Sequence, residues 1–299
     1  MDAIAADRSN GPRTYDDLIE RITEWGANTP DVRAALILGS RARSDHPADA
    51  WSDLDVLVFA RDFGQFIESE TWLAAIGPYW LTFIERTGNG ESWERRTLYE
   101  GGLDVDTAFY PAELLDGLDT NIPPDVADVL RRGVRILVDK DGHLERVQQA
   151  PLPEGSLFRK PGEREFVNAT TDFWYHSLWT VRHLRRGELW WTIGSLDGHM
   201  KGLLEQMLVW HAHACRSDPV DTWLRGRFLE EWADRRAVKQ LGSAFAHYEP
   251  RDMGRALRAS MDLYRWLEDE TAACWGYACP TEGEHQAAAL TMKLIDGIG

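Results

Sequence analysis

Hydrophobic positions follow different periods in the two halves of the chain. In the first half, apolar and β-branched residues form short runs of the kind that predicts strands. In the second half, apolar residues recur every three or four positions, as on the buried face of a helix. The predicted strands are Ala34–Leu38, Trp51–Phe59, Tyr79–Ile84, Arg95–Tyr99, Leu103–Tyr110 and Val134–Val138. Strands with interspersed helices predict an α/β or α+β first half, and the second half is predicted to be a helical bundle.

Helices are predicted in both halves. Thr14 and Asp17 have capping-box spacing before a helix whose buried stripe is Leu18, Ile19 and Ile22. In the first half the predicted helices are Tyr15–Trp25, a short one opening at Arg41, Phe63–Ile76 and Pro124–Arg132. In the second half they are Glu163–Arg186, Leu196–Cys215, Asp252–Thr271 and Glu282–Ile295.

A proline-containing stretch with few apolar residues separates the halves. It extends from Asp139 to Gly162 and carries Pro151, Pro153 and Pro161. Such composition is typical of a linker. We therefore predict a first domain at residues 1–140, a linker at 141–162 and a helical domain at 163–299.

Composition narrows the function classes. The 299 residues are 43% hydrophobic and 27% charged, as in ordinary globular proteins. A net charge of -16 argues against nucleic acid as a partner and is compatible with a cationic substrate. No apolar stretch approaches the roughly 20 residues of a membrane helix, and no signal peptide is recognisable. Three cysteines suit a reducing cytoplasm, so we expect a cytoplasmic protein, monomeric or homodimeric.

Two aspartates interrupt the second predicted strand. Strand side chains alternate between faces, so Asp53 and Asp55 point the same way, with Cα atoms about 6.6 Å apart at ~3.3 Å per residue. Two neighbouring like charges repel unless a cation neutralises them. With a third carboxylate from a neighbouring strand they would suit Mg²⁺, which prefers oxygen ligands. Two such ions could clamp the attacking and leaving oxygens of a displacement at phosphorus.

Small residues follow the first predicted strand. Gly39 and Ser40 make a turn in which backbone N–H groups and a hydroxyl can close on a phosphate, aided by a helix N-terminus. No Gly-Lys-Ser/Thr follows, so the turn is not a Walker A motif. A later strand, Leu103–Tyr110, again carries two acids on one face, Asp104 and Asp106.

The Gly39-Ser40 turn, the Asp53/Asp55 strand and the later acidic strand resemble the fingerprint of the nucleotidyltransferase superfamily. That fingerprint is a hydrophobic residue with Gly-Ser, then an acidic pair on one strand, then a later acidic strand. The whole chain is most similar to the aminoglycoside 6-adenylyltransferases, also called streptomycin adenylyltransferases. The similar segments are V-D-T-A-F-Y-P (105–111), V-L-R-R-G-V-R-I-L-V-D-K-D-G (129–142), E-F (165–166), R-R-G-E-L (185–189), L-L-E-Q-M-L-V-W-H (203–211) and D-L-Y-R-W-L (262–267).

The resemblance implies a fold and a reaction. The fold is α+β, a nucleotidyltransferase (DNA polymerase β-like) mixed-sheet domain followed by an all-α helical bundle. The reaction is transfer of AMP from Mg-ATP to a hydroxyl of an aminoglycoside, foremost streptomycin at its 6-position, with release of pyrophosphate. Such an enzyme confers antibiotic resistance and uses two Mg²⁺ ions.

The resemblance also implies residue roles. Asp53 and Asp55 would be metal ligands, and Asp106 would be a ligand and the general base towards the acceptor hydroxyl. Asp104 shares the face of Asp106 and could replace it, but ranks second because it lies closer to the Gly101-Gly102 turn.

The same resemblance assigns the nucleotide contacts. Gly39 and Ser40 would bind the triphosphate, and Arg41 would assist more readily than Arg43 because it follows Gly-Ser directly. Lys201 is a further candidate for the phosphates. It lies between Asp197 and Glu205 at helical spacing, where a solvated salt-bridge ladder is an equally good interpretation.

One segment departs from the family pattern. Residues 222–232 read T-W-L-R-G-R-F-L-E-E-W, with Glu230 and Glu231 where a Gly-Lys and basic segment is expected. The departure leaves open an acceptor other than an aminoglycoside, such as a lincosamide, a metabolite or a protein. A non-catalytic antitoxin-like module is a further alternative, against which the intact set of carboxylates speaks.

Histidine and cysteine add no predicted site, and the tryptophans favour the core, with stacking on adenine or an antibiotic ring as the alternative. His211 and His213 are two apart on a helix, so they point in different directions and cannot chelate one metal ion. Cys274 and Cys279 are interpreted as structural. The tryptophans predicted to belong to the core are Trp174, Trp179, Trp190, Trp191 and Trp210.

Overall fold

The chain divides into two compact units, Met1–Leu157 and Phe158–Gly299. The computed structural model describes residues 11–88, 90, 92–153, 158–218, 220–222, 225–278 and 282–298. Cys279, predicted to be structural, lies outside these residues. Among them every strand belongs to the first unit, and the second unit contains helices only. The predicted α+β fold class is therefore confirmed.

The first unit is built on one mixed sheet of six strands in the order β3-β4-β5-β2-β1-β6. Neighbouring strands are antiparallel except β2 and β5, which are parallel. The strands are β1 (Val32–Leu38), β2 (Leu54–Ala60), β3 (Tyr79–Arg86), β4 (Trp93–Tyr99), β5 (Leu103–Pro111) and β6 (Arg135–Asp139). The helices of this unit are α1 (Tyr15–Asn28), α2 (Gly64–Glu68), α3 (Leu73–Ile76), α4 (Pro124–Arg132) and α5 (His143–Gln149).

Helix α1 begins at the predicted capping box. The Thr14 hydroxyl accepts the N–H of Asp17, and the Asp17 carboxylate accepts the N–H of Thr14, at 3.1 Å each. These bonds satisfy two of the backbone N–H groups that a helix start leaves without partners. The predicted stripe of Leu18, Ile19 and Ile22 is buried in the core of this unit.

Strand β1 is buried on both faces. The core shared with α1 contains Val32, Ala35 and Ile37. On the other face, Ala34 and Leu36 belong to a second cluster with Leu115 and Leu144. A strand covered on both sides reads as a continuous apolar run, as this one does. The strand that precedes the glycine-serine turn is therefore firmly held.

Three predictions for the stretch up to residue 162 differ from the structure in detail. The predicted strand Trp51–Phe59 begins only at Leu54. The predicted helix Phe63–Ile76 is two short helices, because Ser69 between them is extended and its hydroxyl accepts the N–H of Thr71 at 3.2 Å. The predicted linker 141–162 contains helix α5, whose Leu144 and Val147 are buried.

The second unit is a helical bundle around α11. Its helices are α6 (Glu163–Arg185), α7 (Leu189–Gly194), α8 (Met200–Cys215), α9 (Leu229–Trp232), α10 (Arg235–Ala244), α11 (Pro250–Trp275) and α12 (Glu282–Asp296). A π-helical turn, Ser195–His199, joins α7 to α8, so the predicted helix start at Leu196 falls inside this turn. In the bundle core the rings of Phe173 and Tyr264 stack with centroids 3.6 Å apart. No helix in the described ranges is long and apolar enough to cross a membrane.

The aromatic predictions hold in part. Trp174 and Trp210 are buried, whereas Trp190 is 80% and Trp191 57% exposed, so their assignment to the core is wrong. Both lie on the six-residue helix α7, where Thr192 is the buried residue. A single short helix can bury only one narrow face, and here that face carries the threonine.

The two histidines of α8 diverge as predicted. His211 is paired with Glu270, with Nε2 2.8 Å from the carboxylate. His213 instead stacks on Phe158, with ring centroids 3.7 Å apart, and contacts the hydroxyl of Thr222. The two rings therefore have separate partners.

Candidate functional site

Three carboxylates of the predicted site meet on the interior strands β2 and β5 and on the residue before β2. The parallel register of β2 and β5 sets Asp55 beside Asp106, and Asp53 lies one residue before β2. One carboxylate oxygen from each of these aspartates lies within 4.8 Å of the other two. The direct register of Asp55 on Asp106 places these two residues on neighbouring strands, and Asp53 joins them from the residue before β2. We call Asp53, Asp55 and Asp106 the carboxylate triad.

Asp106 is the buried member of the triad. It is 8% exposed and lies between Val105 and Thr107, which are also buried. Its Oδ2 is 3.0 Å from Nη1 of Arg96, whereas its Oδ1 is buried and has no hydrogen-bond partner among the described residues. A buried carboxylate oxygen without a partner is costly, so this atom is suited to a cation or a donated hydrogen.

Burial raises the pKa of Asp106 to about 7. Arg96 opposes this shift, while the carboxylates of Asp104 and Asp55 add to it. Burial also raises the pKa of Asp104, with Asp53 as the next cause. Ionisation of all the carboxyl groups on this face at the same time is therefore unfavourable.

Arg96 is a site residue that the sequence analysis missed. It lies on β4 directly opposite Asp106 and forms ion pairs with Glu85 and, at 3.4 Å, with Glu94. Its neighbour Arg95 points the other way and donates to the main-chain oxygens of α2. The alternation of strand faces separates the two arginines, but choosing between them requires the register of β4 on β5.

Gly39 contacts the triad directly. Its φ is +72°, and a Cβ atom built there would lie 2.2 Å from Oδ2 of Asp55. Its carbonyl oxygen accepts the N–H groups of Ala42 and Arg43 at 3.1 and 3.2 Å. These bonds make a 3-10 turn, Gly39–Arg41, in place of the short helix predicted to open at Arg41. Only glycine fits this position without displacing the carboxylate.

Ser40 has a hydroxyl available for a ligand. Its Oγ is buried and has no hydrogen-bond partner in the described part of the chain. Its main-chain oxygen accepts the N–H of Ala48 at 2.9 Å, which fixes the turn. The turn therefore offers a donor beside the carboxylate triad.

Arg41 is engaged with the backbone before β2. It donates to the main-chain oxygens of Ser52 and Asp53 at 2.6 and 2.8 Å. Its guanidinium lies 3.4 Å from the ring centre of Tyr15, whose hydroxyl accepts the N–H of Asp104. Arg41 thus ties the glycine-serine turn to both acidic strands. Arg43 forms an ion pair with Asp45.

Lys201 belongs to the second unit and has acceptors there. Its ammonium is 3.2 Å from Asp197, and it donates to the main-chain oxygen of Leu196 and to the hydroxyl of Ser260 at 3.2 and 3.0 Å. Burial lowers its pKa, opposed by Asp197. The Asp197–Lys201 pair of the predicted ladder is therefore present.

The acidic segment that differs from the family pattern borders a cavity of the helical unit. Glu230 and Glu231 lie on the short helix α9 and border a cavity of about 640 Å³ together with Asp234, Glu270 and Arg216. Carboxylates outnumber the cationic groups around this space. Its chemistry suits a cationic guest.

Comparison with known proteins relates the chain to a family. A sequence model of the streptomycin adenylyltransferase family matches residues 12–294. An aminoglycoside 6-adenylyltransferase of Bacillus subtilis (strain 168) is 22% identical over 280 residues, covering 91% of this chain and 95% of the relative. One from Staphylococcus aureus is 23% identical over 277 residues, covering 90% and 94%.

A solved structure is also similar over most of its length. The crystal structure of an aminoglycoside 6-adenyltransferase from Bacillus subtilis covers 95% of this chain and 99% of its own, at 17% identity and a TM-score of 0.45.

Proposed function

The chain belongs to the streptomycin adenylyltransferase family and is a nucleotidyltransferase, and we propose that it transfers AMP from Mg-ATP to a hydroxyl of an aminoglycoside, releasing pyrophosphate. We further propose streptomycin as the acceptor and its 6-hydroxyl as the site of transfer. The observation that carries the proposal is the carboxylate triad, with a buried unpartnered oxygen, in a chain of this family.

The donor set of the triad fits a hard divalent cation. It consists of three carboxylates only, and oxygen is the ligand that Mg²⁺ prefers. Asp53, Asp55 and Asp106 would hold Mg²⁺, two ions in our proposal, and bound Mg²⁺ would neutralise charge on the phosphates undergoing displacement. The unpartnered Oδ1 of Asp106 supports this assignment.

We assign the general base to Asp106. Burial raises the pKa of Asp106 and makes its carboxylate a stronger base, whereas bound Mg²⁺ would lower that pKa again. Arg96 holds Oδ2, and a carboxylate oxygen has two lone pairs, so Oδ1 would bind Mg²⁺ with one lone pair and accept the proton of the acceptor hydroxyl with the other. Arg96 is therefore a positioning residue for the base.

The glycine-serine turn is proposed to bind the triphosphate. Gly39 keeps the space beside Asp55 free of a side chain, and Ser40 supplies a hydroxyl with no other partner in the described residues. Arg41 orients the turn through its bonds to the backbone before β2. Lys201 remains a proposed phosphate contact from the helical unit.

A panel assay tests the proposal. Purified protein is incubated with Mg-ATP and single acceptors, and pyrophosphate release and product mass are measured. We expect an adduct of one AMP on streptomycin, at the 6-hydroxyl by NMR, and resistance in a susceptible host. No adduct on any aminoglycoside would overturn the proposed substrate class.

A second acceptor class is favoured by one observation. Glu230 and Glu231 stand where the family resemblance predicts a Gly-Lys and basic segment. A lincosamide, a metabolite or a protein would then receive the AMP. Including a lincosamide and a cell extract in the same panel distinguishes this candidate. The use of ATP and the sparse cysteines favour the cytoplasm as the place of action.

A further inference from the structure

A second group of metal-ligand side chains lies in the helical unit. Asp172 and His176 come from α6, and His199 is the last residue of the π-helical turn. One ligand atom from each lies within 4.8 Å of the other two. We propose that these residues, the histidine cluster, bind a divalent transition-metal ion with the ligand preference of Zn²⁺.

The local backbone explains how the three side chains meet. Asp172 and His176 are four residues apart, so they share one face of α6 on successive turns. The imidazole rings of His176 and His199 lie with centroids 4.2 Å apart. A π-helical turn is rare and often occurs at functional sites. It brings the third ligand to α6 from a different part of the chain.

Both imidazoles are directed at the same carboxylate. Oδ1 of Asp172 is 2.5 Å from Nδ1 of His176 and 3.0 Å from Nε2 of His199. Ligand atoms about 2 Å from a shared Zn²⁺ ion are a little more than 3 Å apart, so a small movement opens the space for an ion. Binding would replace the shared hydrogens and release protons.

The donor chemistry selects the class of metal. Two imidazole nitrogens and one carboxylate oxygen form the three-ligand set that Zn²⁺ takes with a water as fourth ligand. Mg²⁺ favours oxygen alone, so this cluster should discriminate against it. The carboxylate triad has the opposite preference.

The surroundings allow an ion to enter. The side chains of Asp172, His176 and His199 are 32, 29 and 45% exposed, which leaves access for the ion and a water ligand. The rings of Tyr175 and Trp179 border His176, with centroids 5.2 and 5.9 Å away. Apolar groups around a metal site limit solvent and strengthen the ligand bonds. A bound ion would link α6 to the start of α8.

Metal titration of the untagged full chain tests the proposal. The protein is treated with EDTA, dialysed and titrated with Zn²⁺ against a chromogenic chelator, and Co²⁺ is used for its visible spectrum. We expect one tight Zn²⁺ per chain, a four-coordinate Co²⁺ spectrum and a rise in Tm. His199→Ala should lower the Zn²⁺ affinity by more than about 100-fold, since loss of a residue that only hydrogen-bonds a metal ligand already costs about 10- to 100-fold.

Three variants make the result specific. Asp172→Asn keeps the shape of the side chain and should also lose Zn²⁺, which guards against misfolding of the alanine variant. His247→Ala removes a similar histidine, 91% exposed and 3.0 Å from Asp252, and should bind Zn²⁺ like the parent. Asp55→Asn should do the same. Equal affinity in the parent and His199→Ala, or loss of Zn²⁺ in Asp55→Asn alone, would overturn the proposal.

Discussion

The carboxylate triad and the histidine cluster each gather three ligand side chains, but the backbone achieves this in different ways. In the triad, strand register brings together acids from two parallel neighbours, and all donors are oxygen. In the cluster, helical spacing supplies two ligands and a π-helical turn supplies the third, a second imidazole. The all-oxygen donor set of the triad therefore suits a hard cation such as Mg²⁺, whereas the helical site suits a softer ion.

The largest expected effect separates two acids on the same strand. Asp106→Asn should lower AMP transfer by about 10²- to 10⁴-fold, because the proposed general base is removed. Asp104→Asn is the matched control, because Asp104 lies on the same face of β5. Its transfer activity should stay within about tenfold of the parent, a smaller loss than removal of a general base causes. Transfer is measured as pyrophosphate release at saturating ATP. The reverse order of the two variants would move the base to Asp104.

Gly39→Ala should give the next largest effect. The new Cβ would meet Oδ2 of Asp55 and displace it, and a misplacement near 1 Å can cost about 10²-fold in rate. Gly276→Ala is the control, because its φ is also +72° and nothing lies within 4 Å of its Cβ position.

Both glycine variants should lose about 1 to 2 kcal/mol of stability to the left-handed backbone, as measured by chemical denaturation. Only Gly39→Ala should lose transfer activity. Equal activities would show that the close approach to Asp55 is unimportant.

Measuring both AMP transfer and Zn²⁺ binding in variants of each site tests whether the carboxylate triad and the histidine cluster act independently. His199→Ala should keep Mg²⁺-dependent transfer while losing the Zn²⁺-dependent rise in Tm. Asp55→Asn should show the opposite. At 100 times the Kd, binding adds about 2.7 kcal/mol of stability, and each kcal/mol raises Tm by roughly 2–4 °C for proteins of about 150–250 residues. Loss of both properties in either variant would contradict independent sites.

The smallest expected effect concerns Lys201→Met. The three observed acceptors of its ammonium predict a lower Tm, because Asp197 would lose its cationic partner at a cost of about 1–3 kcal/mol. Differential scanning fluorimetry and the KM for ATP are measured together. A KM for ATP raised about tenfold at unchanged Tm would instead support the phosphate contact that the sequence predicts.

Local signals made much of the fold predictable. The capping box at Thr14 and the helix over Pro124–Arg132 were predicted from residues a few positions apart, and both are confirmed. Helix α5 is not predicted, because the prolines that follow it make the whole stretch from Asp139 to Gly162 resemble a linker. Its Leu144 and Val147 are nevertheless buried. The tryptophans of α7 were misassigned because hydrophobicity alone does not say which face of a short helix is covered.

The candidate sites show the same limit. Asp53 and Asp55 were visible because they share one strand face, and the family resemblance then pointed to Asp106. Arg96 could not be chosen over Arg95 without the register of β4 on β5. The histidine cluster has a sequence signal, Asp172 and His176 at helical spacing, but its third ligand depends on the π-helical turn.

The parallel pairing of β2 with β5 has a consequence for synthesis of the protein. These strands are separated along the chain by β3 and β4, so the pairing that unites Asp55 with Asp106 is non-local. Non-local pairings form late in folding, because loop closure must be accomplished first. A nascent chain that has not yet emerged from the ribosome beyond residue 106 lacks the buried member of the triad. Asp55 and Asp106 therefore come together only when the sheet is nearly complete.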